Sequence, residues 1–77
     1  MTLKIISAED VIFEGEVTSV TLPGVMGEFT VLKNHASLVS VLDPGKITYV
    51  ADGEPVTTVV SGGLVDVDNN IVSVCIY

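Results

Sequence analysis

Side chains able to do chemistry are sparse in this 77-residue chain: one histidine (His35), one cysteine (Cys75), three lysines and ten carboxylates. A zinc site would need His35 together with Cys75 and carboxylates, and no pair of these has the short spacing of metal ligands. Ser61 lies in Val-Val-Ser-Gly-Gly, which lacks the Gly-x-Ser-x-Gly elbow and reads as a strand end. Asp66-x-Asp68-x-Asn70 begins like a calcium loop, but Ile71 stands where the turn glycine belongs and Tyr77 where the closing glutamate belongs. Gly24-Val-Met-Gly27 has the spacing of an RNA-clamping loop, yet Glu28 follows it. Gly45-Lys46 is followed by Ile47 rather than the hydroxyl residue of a phosphate loop. His35 therefore reads as a turn or interface histidine. Cys75 reads as a strand thiol, since no neighbouring Lys or Arg lowers its pKa. The expectation is a protein without catalytic residues, metal or cofactor.

What must position these residues is a single small domain. Fifteen valines, six isoleucines and seven threonines favour strands, and three alanines speak against a helical bundle. With 48% hydrophobic residues the chain is not disordered. Three lysines against ten acids leave a net charge of −7. That balance excludes partners gripped through phosphates, so no nucleic acid is expected, nor an anionic lipid surface. The segment Met1 to Ile6 is not a signal peptide, and no apolar run is long enough to insert into a membrane. A lone cysteine forms no intrachain disulfide, in keeping with a reducing compartment.

Glycine and proline cut the chain into pieces of strand length. The expected strands are Leu3 to Ser7, Val11 to Phe13 (broken by Glu14-Gly15), Val17 to Leu22, Glu28 to Leu32, Leu38 to Leu42, Lys46 to Ala51, Val56 to Ser61, Leu64 to Val67 and Ile71 to Tyr77. Asp52-Gly53 is a hairpin turn. Asn34 could cap a two-turn helix over His35 to Leu42, but Val39 and Val41 favour a strand there. Alternation is clearest at the end, where Val72, Val74 and Ile76 share one face. The fold expected is all-β, a small antiparallel β-sandwich or flattened barrel of about ten short strands. Val25, Met26 and Phe29 lie in turns where exposed apolar groups would mark a docking module.

The order of the turns carries a resemblance. Ser7-Ala8-Glu9, Phe13-Glu14-Gly15-Glu16-Val17, Val20-Thr21-Leu22-Pro23-Gly24, Gly27-Glu28-Phe29-Thr30-Val31-Leu32, Asn34-His35-Ala36-x-Leu38, Pro44-Gly45, Ser61-Gly62-Gly63-Leu64-Val65-Asp66-Val67 and Asn70-Ile71-Val72-Ser73-Val74 follow one another across nearly all of the chain. This series resembles the N-terminal domain of the epsilon subunit of bacterial F-type ATP synthase, whose mitochondrial counterpart is called delta.

The resemblance implies a ten-stranded β-sandwich in the central stalk, clasping the gamma subunit and seated on the c-ring at the cytoplasmic face of the bacterial inner membrane. It assigns Glu28, with Val25, Met26 and Phe29 beside it, to the turn facing the c-ring. His35, Ala36, Leu38 and Ser40 match the face applied to gamma, and Gly62 and Gly63 are structural glycines. The family's usual Pro-Gly-His is here Lys33-Asn34-His35. Family members continue past the position of Tyr77 into a two-helix hairpin that restrains hydrolysis and in some members binds ATP, so neither property is carried over to these residues. A lipoyl- or biotinyl-type carrier is the alternative, but neither Lys33 nor Lys46 has the flanking Met or Asp such domains place beside the modified lysine.

Overall fold

The structure, a computed structural model, describes residues 1–77. Nine strands run in chain order: β1 (Thr2–Ile6), β2 (Val11–Glu16), β3 (Ser19–Gly24), β4 (Gly27–Leu32), β5 (Leu38–Leu42), β6 (Gly45–Ala51), β7 (Glu54–Val60), β8 (Gly63–Asp68) and β9 (Ile71–Ile76). They form one curled sheet in the order β2-β1-β9-β8-β5-β3-β6-β7, with β4 on the other edge of β3. The all-β class agrees with the sequence reading, with nine strands in place of ten. His35 to Leu42 contains no helix. One pairing departs from the antiparallel expectation: β1 runs parallel to β9, from Thr2 opposite Ile71 to Ile6 opposite Cys75.

Folding the sheet over itself makes two layers, β2-β1-β9-β8-β5 and β4-β3-β6-β7, which share one apolar core. Alternation decides what enters it. Leu3 and Ile5 of β1, Val20 and Leu22 of β3, Ile47 and Tyr49 of β6, Val65 and Val67 of β8, and Val72, Val74 and Ile76 of β9 are all buried on one cluster. No polar or charged residue is buried, and no buried side-chain polar atom lacks a partner. The core is therefore dry, and backbone ladders do the hydrogen bonding: 39 of 47 backbone bonds lie within strands. Opening the inner strands is costly, because it breaks ladder bonds that water cannot replace inside.

Most strand limits lie one to three residues from the expected ones, and two of the shifts have a clear physical cause. Glu14-Gly15 does not break β2, because Gly15 pairs with Leu3 and the ring of Phe13 lies over the missing side chain: a Cβ on Gly15 would be 3.2 Å from Phe13 Cζ. The same ring reaches Tyr49 across the core, centroid to centroid at 4.4 Å. Val17 is a buried link between strands, not the start of β3, its amide donating to the Met1 carbonyl at 2.9 Å. Asp52 and Gly53 both have positive φ, 52° and 77°, as a two-residue hairpin turn of the primed type requires.

The single ion pair joins the Met1 amine to Glu16 Oε2 at 3.2 Å, and the Thr2 hydroxyl donates to Glu16 Oε1 at 2.7 Å. The Thr2 hydrogen bond, aided by the amine, holds the Glu16 carboxyl below its ordinary value of 4.5. A depressed acid stabilises the fold above its unfolded pKa and ceases to as pH falls through the folded one. The Tm advantage of the parent over Glu16→Gln should therefore be present at neutral pH and shrink steadily as the pH is lowered below the ordinary glutamate range. Parallel thermal melts across that range check it; a difference that does not depend on pH would contradict it.

Candidate docking surfaces

The β3–β4 hairpin ends in the pair Gly24 and Gly27, with Val25 and Met26 at its tip. Met26 is 96% exposed, Val25 is exposed, and Glu28 is exposed one residue into the pairing. The tip is not a loose loop. The Val25 amide donates to the Val41 carbonyl at 3.0 Å, and the Asp43 amide to the Pro23 carbonyl at 2.8 Å, so the end of β5 braces the hairpin along its β3 arm. Glu28 has no cationic partner within the chain. Strand alternation turns Phe29 the other way from Glu28. Its half-buried ring packs on the core and over Gly24, where an added Cβ would come within 2.8 Å of Phe29 Cε1. The apolar groups presented beside Glu28 are thus Val25 and Met26.

His35 and Ala36 are exposed at the opposite end of β4. At about 3.3 Å per residue, roughly 17 Å of strand separates Glu28 from Lys33. The His35 turn therefore lies a strand's length from the Glu28 tip, whereas Ser40 does not: its Oγ and the Val25 amide donate to the same Val41 carbonyl. The His35 amide donates to the Leu32 carbonyl at 3.1 Å, closing a tight turn. Its Nδ1 lies 2.7 Å from the Ala36 carbonyl, which can only accept, so Nδ1 carries the proton and Nε2 is left for an outside group. Leu38 and Ser40 are half-buried on the inward phase of β5, in step with buried Leu42, while Val39 and Val41 point outward, 67% and 47% exposed. Ser40 Oγ donates to the Val41 carbonyl at 3.1 Å.

The His35 turn is fastened by residues whose pairing no local motif announces. The Asn34 amide donates to Asn70 Oδ1 at 2.6 Å, and Asn70 Nδ2 donates back to Asn34 Oδ1 at 3.1 Å. Ser37 Oγ donates to Asp68 Oδ1 at 2.7 Å. Asn34 and Asn70 have φ of 65° and 60°, a conformation asparagine tolerates better than most residues. The clasp joins the turn to the β8–β9 connection. Asn70→Ala should lower stability by about 2 kcal/mol through lost bonds and left-handed strain, and Asn70→Gly by less. Chemical denaturation of both variants separates the two contributions, and equal losses would assign the whole effect to the hydrogen bonds.

Gly62 and Gly63 lie where β8 leaves its turn. Gly62 has φ of 130°, and its carbonyl accepts from the Tyr77 amide at 3.3 Å. A Cβ on Gly63 would run into the Cys75 carbonyl oxygen and come within 3.0 Å of Ile76 Cα. No three His, Cys, Asp or Glu side chains are grouped to hold a metal ion. The geometry is that of a rigid block with a braced acidic hairpin at one end and a clasped histidine turn at the other.

Comparison with known proteins follows the same lines. The family model described as ATP synthase, Delta/Epsilon chain, beta-sandwich domain matches residues 1–76. The ATP synthase epsilon chain of a Nitratiruptor species is 46% identical over 71 residues, covering 91% of this chain and 55% of that protein. That of a Sulfurovum species is 49% identical over 69 residues, covering 88% of this chain and 54% of that one. The chain thus spans about half the length of the curated relatives it matches. A chain in the cryo-EM structure of the Euglena gracilis mitochondrial ATP synthase, OSCP/F1/c-ring in rotational state 1, superposes with a TM-score of 0.89 at 27% identity, over 96% of this chain and 48% of its own. A chain in the Tetrahymena thermophila mitochondrial ATP synthase central stalk/c-ring structure shares the fold, with a TM-score of 0.81 at 14% identity, over 97% of this chain and 61% of its own. With the family model matching essentially every residue, this chain belongs to the β-sandwich domain family of ATP synthase delta and epsilon chains.

Proposed function

We propose that the chain is the β-sandwich part of a central-stalk rotor subunit of an F-type ATP synthase. In this reading it docks on the gamma subunit and the c-ring, so that proton-driven rotation of the ring is transmitted to ATP synthesis. The observation that carries the reading is the family match over residues 1–76. The Euglena assembly that holds a similar chain contains F1 and the c-ring, in keeping with a seat on the ring.

Its work is mechanical. A part that passes torque between two bodies must hold both and must not bend. Two surfaces on one rigid block give avidity, since docking at the first raises the local concentration of the second. The braced tip, Val25, Met26 and Glu28, is the surface we assign to polar loops of the ring, where a carboxylate orients the contact through charge-assisted hydrogen bonds. His35, Ala36, Leu38 and Ser40 belong to the gamma side, Ser40 adjoining the hairpin tip through the Val41 carbonyl it shares with the Val25 amide. The domain is non-catalytic, holds no cofactor and binds no ATP through these residues. It sits peripherally at the cytoplasmic face of the bacterial inner membrane; no helix is long and apolar enough to cross one. A swinging-arm carrier is not favoured, because the curated relatives the chain matches are epsilon chains.

Capture of purified gamma by the immobilised chain, with and without c-ring, tests the assignment. Retention of gamma alone and stronger retention of the gamma and ring complex are expected. Failure to hold either would discard the rotor reading.

A further inference from the structure

We propose that the open edge of β4 receives an extended segment of the gamma subunit, which joins the sheet as a further strand through main-chain hydrogen bonds. The inference rests on the rotor reading and names how one of its two partners is held. Three strands have a single neighbour in the sheet: β2, β4 and β7. Such a strand presents unpaired amides and carbonyls to whatever lies beside it. On β4 they can be located residue by residue. The Pro23 carbonyl and the Val25 amide bond toward β5 and Asp43 beyond it. Alternate residues of a strand bond to opposite sides, so Val20, Leu22 and Gly24 are the ones that bond to β4. Their partners there are Val31, Phe29 and Gly27. Glu28, Thr30 and Leu32 therefore turn their amides and carbonyls to the open side. Pro23, which has no amide to give, stands opposite Glu28 as that phase requires. No hydrogen bond outside the ladders reaches the main chain of Glu28 or Thr30, and the Leu32 carbonyl is taken by the His35 amide. The amides of Glu28, Thr30 and Leu32 and the carbonyls of Glu28 and Thr30 are left for a partner.

The other two edges are guarded against such an addition. Counted from the two-residue turn Asp52-Gly53, the residues of β7 that face its open side are Pro55, Thr57 and Val59. Pro55 offers no donor there, and its ring stands in the way of a neighbour. β2 is interrupted by a bulge, since Ile5 and Ile6 pair with Phe13 and Val11 and leave Ile12 over. Glu14 and Glu16 are exposed along the same strand. Prolines, bulges and charges are the devices that keep an edge from pairing. β4 has no proline and no bulge: its register runs unbroken from Ser19 opposite Leu32 to Gly24 opposite Gly27, and its one charge, Glu28, lies at the hairpin end.

What the edge can hold follows from its chemistry. A row of unpaired main-chain groups over about 13 Å selects an extended backbone, whereas a helix has spent its amides and carbonyls on itself. Thr30 and Leu32 are exposed and uncharged. Residues opposite them are best β-branched or aromatic, and acids are disfavoured there by Glu28 and by a net charge of −7. The position suits gamma. The edge leads from the hairpin tip to the His35 turn, so a strand laid along it would meet His35, whose Nε2 is left for an outside group. Bonding to the main chain leaves the Glu28 carboxylate free for the ring.

The test follows amide hydrogen exchange in the ¹⁵N-labelled 77-residue chain, alone and bound to purified gamma subunit. The Thr30 and Leu32 amides should exchange readily in the free chain and slow by about 100-fold or more in the complex, while Thr57 and Val59 on β7 keep their rates. Thr30→Pro removes the central donor and sets a ring where the added strand would lie, so it should weaken gamma retention about tenfold or more. Thr57→Pro is the matched control, since Thr57 stands opposite Thr48 on β7 as Thr30 stands opposite Thr21 on β4. It should retain gamma as the parent does. Melting curves check that both variants fold, and the exchange measurement on the parent needs neither. Gamma bound with unchanged exchange at Thr30 and Leu32 would overturn the proposal and leave the rotor reading standing. No binding of gamma at all would discard the rotor reading and the proposal with it. Equal loss of gamma in the two proline variants, or a concentration-dependent dimer in which the Thr30 amide is slow without gamma, would likewise overturn it.

Discussion

Gly63→Ala should destabilise the domain by about 3 kcal/mol, a large part of the ~4–12 kcal/mol expected for a chain of this size. The new methyl group would point into the Cys75 carbonyl oxygen, with Ile76 Cα only 3.0 Å away. Both are backbone atoms of β9, which is held between β8 on one side and β1 on the other. Neither can swing aside as a side chain could, so the β8–β9 ladder must open locally. For a domain of this length each kcal/mol shifts Tm by roughly 4–8 °C, and the fall should be about 12–24 °C. Gly53→Ala is the control: it has a φ of 77°, but a Cβ there meets nothing within 4 Å. Its loss should be near 1 kcal/mol, from backbone strain alone. Thermal melts of the two variants decide the matter, and equal losses would show that β9 does not approach Gly63 so closely.

Gly63 also illustrates what a reader of the sequence can and cannot see. Paired glycines after a valine run signal a bulge or a close approach, and that much is local. Which strand approaches is not local. The parallel alignment of β1 with β9 joins the two ends of the chain and leaves no mark in either segment. Turns were the most legible features, because Asp52-Gly53 needs positive φ and only a few residue types supply it cheaply. Gly15 misled for the same reason. Its lack of a side chain reads as a break, whereas here it makes room for the Phe13 ring.

β5 shows the limit of alternation. Leu38-Val39-Ser40-Val41-Leu42 is apolar at every position but one, so its inward phase rests on Ser40 alone. A serine is the natural outward residue, yet it sits inward with Leu42, and Val39 and Val41 face out. Leu42 opposite Gly63 fixes that phase, since the bulkier leucine fills the core beside a residue with no side chain. By contrast Met26 and Glu28 were legible as an exposed tip, because a hairpin closed by two glycines has nowhere to bury its centre.

Glu28→Lys should leave the fold intact and weaken seating on the c-ring by about 10- to 100-fold at low salt, with gamma retention unchanged. The carboxylate is exposed and has no ion partner to lose inside the chain, so stability should move by no more than about 0.5 kcal/mol. The effect on docking is larger because reversal replaces attraction by repulsion at a tip that cannot retreat: β5 holds it through Val25 and Asp43. Met26→Ala separates the apolar contribution. It removes a side chain that is 96% exposed and should weaken the same contact without changing its dependence on salt. Binding of each variant to gamma alone and to the gamma and ring complex, at two ionic strengths, gives the four comparisons needed. Loss of gamma and ring together in Glu28→Lys would mean that the two ends of β4 do not serve separate partners, and that the carboxylate acts on the whole interface.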